Sequence, residues 1–220
     1  MNEYIQVLVI DDHPLFRKGV VQLLALDSRY RVAGEAASGR EGIELVRQLQ
    51  PDLVLLDLNM KEMDGITTLK AIREMELDTR VVMLTVSDQS SDLVAAVRAG
   101  ADGYLLKDME PEDIISRLGD AMEGSMAIPE RLGRALALAL RNEDGKVRND
   151  MLAQLTDREH DILIGLAKGL PNKLIGRELG IAEGTVKVHM KSLLRKLNFR
   201  SRLEAAIWAV EQGLKVSKPV

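Results

Sequence analysis

The first half of the chain alternates short apolar runs with amphipathic stretches, and this alternation constrains the fold more than any other feature. The apolar runs, which we predict as strands, span residues 5–10, 31–36, 53–56, 81–85 and 103–106. The amphipathic stretches, which we predict as helices, span residues 14–26, 39–49, 65–74, 91–99 and 111–122. Strands that alternate with helices in this way pair in parallel and carry helices on both faces. The sequence therefore predicts a five-stranded, doubly wound α/β domain over residues 1–128.

Polar side chains follow the predicted strands at the edge where open α/β sheets place their chemistry. They are Asp11, Asp12, Asp57, Thr85 and Lys107. Each has an ordinary structural explanation as a helix cap, strand residue or surface charge, but together they favour a site. Crowded carboxylates need a cation, and carboxylate oxygens suit Mg²⁺. Asp57 follows a central strand and is the candidate nucleophile toward a phosphoryl donor; Lys107 would offset the transferred charge, and the Thr85 hydroxyl would bind a phosphoryl oxygen.

Two neighbouring residues are open to other interpretations. His13 lies next to the acidic pair, and we expect it to pack at the start of a helix rather than to act as a base or ligand. Tyr104 lies on the last predicted strand, where half-buried packing is the ordinary explanation unless a switch uses it.

The second half of the chain differs from the first in its predicted structure and in its net charge. Residues 129–150 combine a possible short helix with a polar, glycine-containing segment, which is typical of a linker. Residues 151–220 carry 12 Lys and Arg against 7 Asp and Glu, a net charge of +5, whereas the first 150 residues carry 18 against 27, a net charge of -9. We predict four helices there, over residues 156–169, 171–179, 185–197 and 202–212; Thr156 and Glu159 form the Thr-x-x-Glu pattern of a capping box. A basic helical domain favours a polyanionic partner.

The second and third of these helices have helix-turn-helix spacing, in which the second helix enters the major groove of DNA. Lys187, Lys191 and Arg195 recur four residues apart on one face of that helix, next to Val188. Such a row suits a groove lined with phosphates, lysine can donate to guanine, and Val188 could meet a thymine methyl group. A solvated basic face is the alternative interpretation.

The motifs VLVIDDHP, LVLLDLNMKEMDG, MLTVSD and GADGYLLKD resemble response-regulator receiver domains in order and spacing over about 125 residues. The resemblance implies that Asp57 accepts phosphate from a sensor histidine kinase and that Asp12, Asp57 and the Asn59 carbonyl bind Mg²⁺, assisted by Asp11. It also implies that Lys107 contacts the phosphate and that Thr85 and Tyr104 move together on phosphorylation. Many receivers follow this lysine with a proline in a cis bond. In this chain Asp108 follows the lysine instead. A cis bond to a non-proline residue costs about 3 kcal/mol, so the sequence does not predict whether the Lys107–Asp108 bond is cis or trans.

The segments TDREHDIL, GLPNKLIGRELGI and GTVKVHMKSLLRKL resemble the LuxR-type DNA-binding domain of the NarL/FixJ family over about 65 residues. This implies that Lys187, Val188 and Lys191 contact bases, while Asn172, Lys173 and Thr185 contact or orient phosphates. Ala182 departs from the family, which often has Ser or Thr at this N-cap, so the third helix would lack about 1 kcal/mol of capping. Across both domains the likeness extends to nitrate/nitrite response regulators, which implies nitrate or nitrite as the signal.

We therefore expect a phosphorylation-controlled, double-stranded-DNA-binding transcription regulator that is not an enzyme and that pairs as a homodimer on DNA. We expect the unphosphorylated receiver to cover the third tail helix. Pairing through Ala205, Ala206, Trp208 and Ala209 is possible, although core packing explains these residues equally well. No apolar run reaches the ~18 residues of a membrane span, no signal peptide is evident and cysteine is absent, so we expect a cytoplasmic protein without membrane contact.

Two rival functions are an aspartyl-phosphate phosphatase or phosphotransferase and a phosphorylation-independent DNA-binding protein. The first usually carries Asp-x-Asp after its first strand, whereas this chain has Asp11-Asp12-His13. The second is disfavoured because every expected acidic, hydroxyl and lysine position of a receiver is filled.

Overall fold

The computed structural model of the protein describes residues 4–125 and 152–214. The predicted linker, residues 129–150, and its possible short helix lie outside these described residues, as do the exact domain boundaries.

The N-terminal part is a parallel sheet wrapped by helices, as predicted. Its strands are β1 (Ile5–Ile10), β2 (Tyr30–Ala36), β3 (Leu53–Leu56), β4 (Arg80–Thr85) and β5 (Gly103–Leu106). Its helices are α1 (Pro14–Ala25), α2 (Gly39–Leu49), α3 (Gly65–Arg73), α4 (Ser90–Ala99) and α5 (Pro111–Glu123). The strand order is β2-β1-β3-β4-β5, with every pair parallel. This order places β3 in the centre of the sheet, so Asp57 emerges between the ends of β1 and β4.

Local signals in the sequence explain where the helices begin. The side chains of Ser38 and Asp64 accept hydrogen bonds from backbone N–H groups in the first turns of α2 and α3. Gly65, the first residue of α3, lies so near the preceding strand end that an added Cβ would overlap with the Asp57 carbonyl oxygen. Glycine is therefore required to bring the start of α3 against the backbone of Asp57.

The sheet divides the apolar core into two layers, one on each face. Leu8, Val54 and Met83 lie in the layer with α4, whereas Val9, Leu55 and Leu84 lie in the layer with α5. Side chains from consecutive strand positions thus enter opposite layers, which is why β3, in the centre of the sheet, is apolar and buried at every position.

The C-terminal part is helical, with α6 (Asp157–Ala167), α7 (Asn172–Leu179), α8 (Glu183–Lys196) and α9 (Arg202–Glu211). The predicted capping box of Thr156 and Glu159 is present at the start of α6. Ala182 is the N-cap of α8 and makes no side-chain capping bond, as expected from its methyl group. Ala205, Ala206, Trp208 and Ala209 are buried in the core of these four helices, which favours the core-packing interpretation of the small-residue surface.

The two parts touch through α9 and α4. Leu203 and Ile207 of α9, 1% and 7% exposed, belong to the same apolar cluster as Leu93, Ala96 and Val97 of α4. The receiver thus covers part of the last helix, not the third helix as expected: Val188 on α8 is 69% exposed. Over the described residues no peptide bond is cis, so Lys107–Asp108 is trans. Within the same residues, no helix is long and apolar enough to cross a membrane.

Candidate functional site

Three aspartates gather at the carboxyl edge of the sheet, where β1 and β3 end side by side. One ligand atom from each of Asp11, Asp12, His13 and Asp57 lies within 4.8 Å of the other three. Asp11 and Asp57 are each 3% exposed. His13 does not pack at the helix start as predicted: its side chain is 66% exposed, and Nδ1 stands 2.9 Å from Asp12 Oδ1. The structure therefore brings a fourth potential ligand to the acidic group.

Lys107 supplies the positive charge of this cluster. Its Nζ lies 2.6 Å from Asp11 Oδ2 and 3.1 Å from Asp57 Oδ1, and it stands 4.4 Å from the centre of the Phe16 ring. Burial raises the pKa of the Asp57 carboxyl and the charge of Asp11 raises it further, whereas Lys107 and a hydrogen bond from the Asn59 backbone oppose the rise. Asp57 is thus a buried carboxylate next to a cation, the arrangement expected of a nucleophile toward a phosphoryl group.

Two oxygens in the cluster accept no hydrogen bond among the described residues, namely Asp57 Oδ2 and Asp12 Oδ1, the second of which faces only the His13 ring nitrogen at 2.9 Å. The other Asp12 oxygen accepts from the backbone N–H of Lys61 at 3.1 Å. Buried carboxylate oxygens without partners are costly unless a cation or a further donor satisfies them. Together with the exclusively oxygen-based aspartate set, they fit a hard divalent cation such as Mg²⁺.

Thr85 and Tyr104 are both fully buried next to this edge and meet at Ser87. Thr85 Oγ1 accepts from the backbone N–H of Ser87 at 3.1 Å, and the Tyr104 hydroxyl donates to the Ser87 carbonyl at 3.0 Å. Burial raises the pKa of Tyr104 to about 12, although hydrogen bonding to Ser87 and Thr85 opposes the rise. Ser87 Oγ in turn donates to Asp92 in the first turn of α4, at 2.5 Å. The sequence pointed to Thr85 and Tyr104 but missed Ser87, which joins them to α4.

The tail presents a second, basic site on α8. Lys187, Val188 and Lys191 are exposed, as are Thr185 at the start of the helix and Lys173 on α7. Val186, Met190 and Leu193 are buried on the opposite face. Lys187 lies 3.7 Å from Glu183 one turn earlier, a surface pair that is weak and readily exchanged. The exposed face is therefore available for a polyanion.

Asn172 is placed differently from the other predicted DNA contacts. It is 4% exposed, and its Oδ1 accepts from Arg202 Nη1 at 2.9 Å. Arg202 Nη2 donates to the Leu170 carbonyl at 2.9 Å, and burial lowers the pKa of this guanidinium to about 10, with Arg80 of the receiver adding to the effect. The side-chain oxygen of Asn172 thus holds Arg202 inside the protein. No local pattern predicted this pair, because the two residues are 30 positions apart in sequence.

Comparison with known proteins identifies the family of each half of the chain. Residues 7–119 match the family model described as the response regulator receiver domain, and residues 153–209 match the luxR family of bacterial regulatory proteins. The chain is 50% identical to the nitrate/nitrite response regulator NarL of Escherichia coli K12 over 94% of this chain and 96% of the relative. It is 47% identical to the nitrate/nitrite response regulator NarP of the same strain over 94% and 95% of the two chains.

Solved structures show the same architecture. The receiver domain of NarL from Mycobacterium tuberculosis superposes with a TM-score of 0.54 at 41% identity, covering 56% of this chain and 99% of that one. The response regulator ChrA of a heme-sensing two-component system superposes with a TM-score of 0.53 at 31% identity, covering 97% and 100% of the two chains. Both family matches describe regulators rather than enzymes, which disfavours the phosphatase alternative. The chain therefore belongs to the response regulators that join a receiver domain to a LuxR-type DNA-binding domain.

Proposed function

We propose that this regulator is phosphorylated on Asp57 by a sensor histidine kinase and that the phosphoryl group controls DNA binding by its tail, in nitrate- or nitrite-responsive gene regulation. The observation that carries the proposal is the position of Asp57: a buried carboxylate 3.1 Å from the Lys107 ammonium with one oxygen unpartnered. The nitrate or nitrite signal is supported only by the names of the relatives at 50% and 47% identity. We place the protein in the cytoplasm, where kinase output and DNA are both accessible.

Asp11, Asp12, Asp57 and the Asn59 carbonyl would hold Mg²⁺. The ion would neutralise charge on the phosphoryl group during its transfer. Asp57 attacks phosphorus through its free oxygen, the bond from phosphorus to the donor atom breaks, and an aspartyl phosphate results. Lys107 already contacts Asp57, so it is positioned to pair with the new phosphoryl oxygens in the same place.

The hydroxyl of Thr85 provides the first step from the phosphate to the tail. Its oxygen now accepts from Ser87 N–H, but a hydroxyl can also donate, and a phosphoryl oxygen is a strong acceptor. Turning Thr85 toward the phosphate would break its bond to the Ser87 N–H. Ser87 is also hydrogen-bonded to Tyr104 and to Asp92 at the start of α4, so both contacts would be affected. Phosphorylation is thereby linked to the position of α4.

Helix α4 then reaches the tail directly. It begins beside Ser87 at the carboxyl edge of the sheet and ends at Gly100 near the amino edge, and its apolar face packs against Leu203 and Ile207 of α9. A shift of α4 would therefore weaken the hold of the receiver on α9. This route differs from direct covering of α8, because α8 is already exposed when α9 is docked. A useful switch needs the two arrangements to differ by several kcal/mol in their preference for the phosphoryl group.

At the DNA, we propose that Lys187, Val188 and Lys191 contact base edges and that Lys173 and Thr185 contact phosphates. Their exposure on one side of α7 and α8 supports this assignment. We assign Asn172 instead to holding Arg202. Release of α9 from α4 would uncover Leu203 and Ile207, two apolar side chains that could then pair two tails as a homodimer on DNA.

Footprinting on genomic fragments, with and without acetyl phosphate, tests the proposal. We expect acetyl phosphate with Mg²⁺ to strengthen protection by the wild type, and EDTA to abolish this gain. Asp57→Asn should give only the unphosphorylated level of protection, whereas Asp78→Asn, which alters an exposed aspartate in the α3–β4 connection, should respond like the wild type. Protection by Asp57→Asn equal to that of the phosphorylated wild type would refute the proposal.

A further inference from the structure

Glu159 makes contacts beyond its own helix that the capping box does not require. Its carboxylate completes the box at the start of α6 through the backbone N–H and hydroxyl of Thr156, at 2.9 and 3.0 Å. The same carboxylate also accepts from Ser192 Oγ at 2.8 Å and from Lys196 Nζ at 2.6 Å, both on α8. Glu159 is 3% exposed, so four donors converge on one buried carboxylate.

The two contacts on α8 lie next to the face proposed to meet DNA. Ser192 and Lys196 are four residues apart and so share one side of the helix, about 6 Å apart along its axis at 1.5 Å per residue. Val188 lies one turn earlier on the same side, and Lys187 and Lys191 form the neighbouring row. Any rotation or sliding of α8 that moved these side chains would also break the bonds to Glu159.

Apolar packing of α8 does not provide the same restraint. Val186, Met190 and Leu193 bury one face of the helix in the tail core. Dispersion contacts have no preferred direction, and they tolerate small shifts, whereas hydrogen bonds weaken steeply when their angles change. Two directional bonds one turn apart therefore define the rotation and the axial position of α8 more sharply than its core contacts.

We infer that Glu159 is a positioning residue for sequence discrimination, which orients the DNA-contacting side chains of α8 through Ser192 and Lys196. The inference rests on the DNA contacts proposed above for Lys187, Val188 and Lys191. The charge of the group agrees with this role: burial raises its pKa, but the bonds from Lys196, Thr156 and Ser192 outweigh burial and lower the pKa to about 2, so the carboxylate is ionised.

The test separates positioning from stability by leaving the capping box intact. Ser192→Ala/Lys196→Met removes both bonds to α8, and Lys168→Met is the matched control. Lys168 is also a tail lysine paired with a glutamate, at 3.0 Å from Glu178, and its side chain is 28% exposed against 31% for Lys196. Thr156→Ala weakens the cap of α6 and keeps the contacts to α8. The wild type and every variant are full-length chains whose folding is verified by Trp208 fluorescence.

The measured quantity is the ratio of affinities for two DNA duplexes at one salt concentration. One duplex carries a sequence selected from a random pool by the wild-type chain, and the other is its scrambled counterpart. We expect Ser192→Ala/Lys196→Met to lower this ratio by about tenfold, the discrimination of one well-placed base contact. Lys168→Met and Thr156→Ala should keep the wild-type ratio. Glu159→Gln should keep most of it as well, because an amide can accept from Lys196 and donate to Ser192.

The outcomes are distinguishable. An unchanged ratio in a folded Ser192→Ala/Lys196→Met protein would overturn the inference, and so would an equal loss in Lys168→Met. A wild-type chain that does not prefer its selected duplex would contradict the proposed base contacts themselves, and the inference with them.

Discussion

A methyl group at Gly124 should separate the two domains. Gly124 ends α5 with a φ of +83°, and a Cβ built there would overlap with Arg202 Nη1. Gly124→Ala would cost about 1–2 kcal/mol for the left-handed backbone alone. The guanidinium of Arg202 must also move, which endangers its bonds to Asn172 and Leu170, and one hydrogen bond to a charged group is worth about 1.5–3 kcal/mol. The total cost of Gly124→Ala is therefore about 2.5–5 kcal/mol.

Gly180→Ala is the matched control. Gly180 also ends a helix, with a φ of +66°, and no heavy atom of the described residues lies within 4 Å of its added Cβ apart from its own helix and chain neighbours. This variant should lose only the backbone cost, about 1–2 kcal/mol. Urea denaturation followed by the fluorescence of Trp208, the single tryptophan of the chain, reports the tail directly. We expect Gly124→Ala to destabilise the tail more than Gly180→Ala does, although residue 124 is in the receiver. Small-angle X-ray scattering should detect a larger radius of gyration for Gly124→Ala than for the wild type. If the fluorescence transition of Gly124→Ala matches the wild type, the contact between the domains does not stabilise the tail, and the reasoning is wrong.

Three further variants test single features. Tyr104→Phe removes a buried hydroxyl that donates to Ser87, so we expect it to lower the free energy of unfolding of the receiver by about 1 kcal/mol in thermal denaturation. We also expect it to weaken the response of DNA binding to acetyl phosphate, and an unaltered response would count against the role of Tyr104. Glu159 has a folded pKa of about 2 against an ordinary value of 4.5, so its stabilising charge is present above pH 4.5 and is lost as the pH falls toward 2; the tail of Glu159→Gln should lose less stability than the wild type over this interval in urea titrations, and parallel losses would contradict the assignment. Ala182→Ser adds the missing N-cap of α8, and we expect it to raise the free energy of unfolding of the tail by about 1 kcal/mol in urea denaturation. An unchanged free energy of unfolding would show that the backbone N–H groups at this helix start are already satisfied.

Sequence reasoning succeeded where the physical signal is local and repetitive. The apolar runs located all five strands of the receiver within one residue of their observed starts, because a sheet covered by helices on both faces needs mostly apolar strands. The capping box at Thr156 and the absent cap at Ala182 were also predictable, since capping involves residues only two or three positions apart. The gathering of Asp11, Asp12, Asp57 and Lys107 followed from sheet topology alone.

Other predictions failed because they depended on which surfaces meet. His13 was expected to pack, but its ring is mostly exposed and lies beside the aspartates. The DNA contact of Asn172 stays a prediction, but no pattern in the sequence indicated that Arg202 from another helix would bind its side-chain oxygen. The receiver was expected to cover α8 but packs against α9. The opposite net charges of the two halves predict that they attract each other, but they do not predict which two surfaces are complementary in shape.

The sequence by itself determined the two folds, the acidic edge of the sheet and the basic helix, because each depends on periodicity and on the order of elements along the chain. Only the tertiary structure decided how these parts are connected. Ser87 hydrogen-bonds to both Thr85 and Tyr104, α4 packs against α9, and Glu159 accepts hydrogen bonds from α8. These links join residues that no periodic pattern relates, and they depend on side-chain shape and hydrogen-bond direction after the chain has packed.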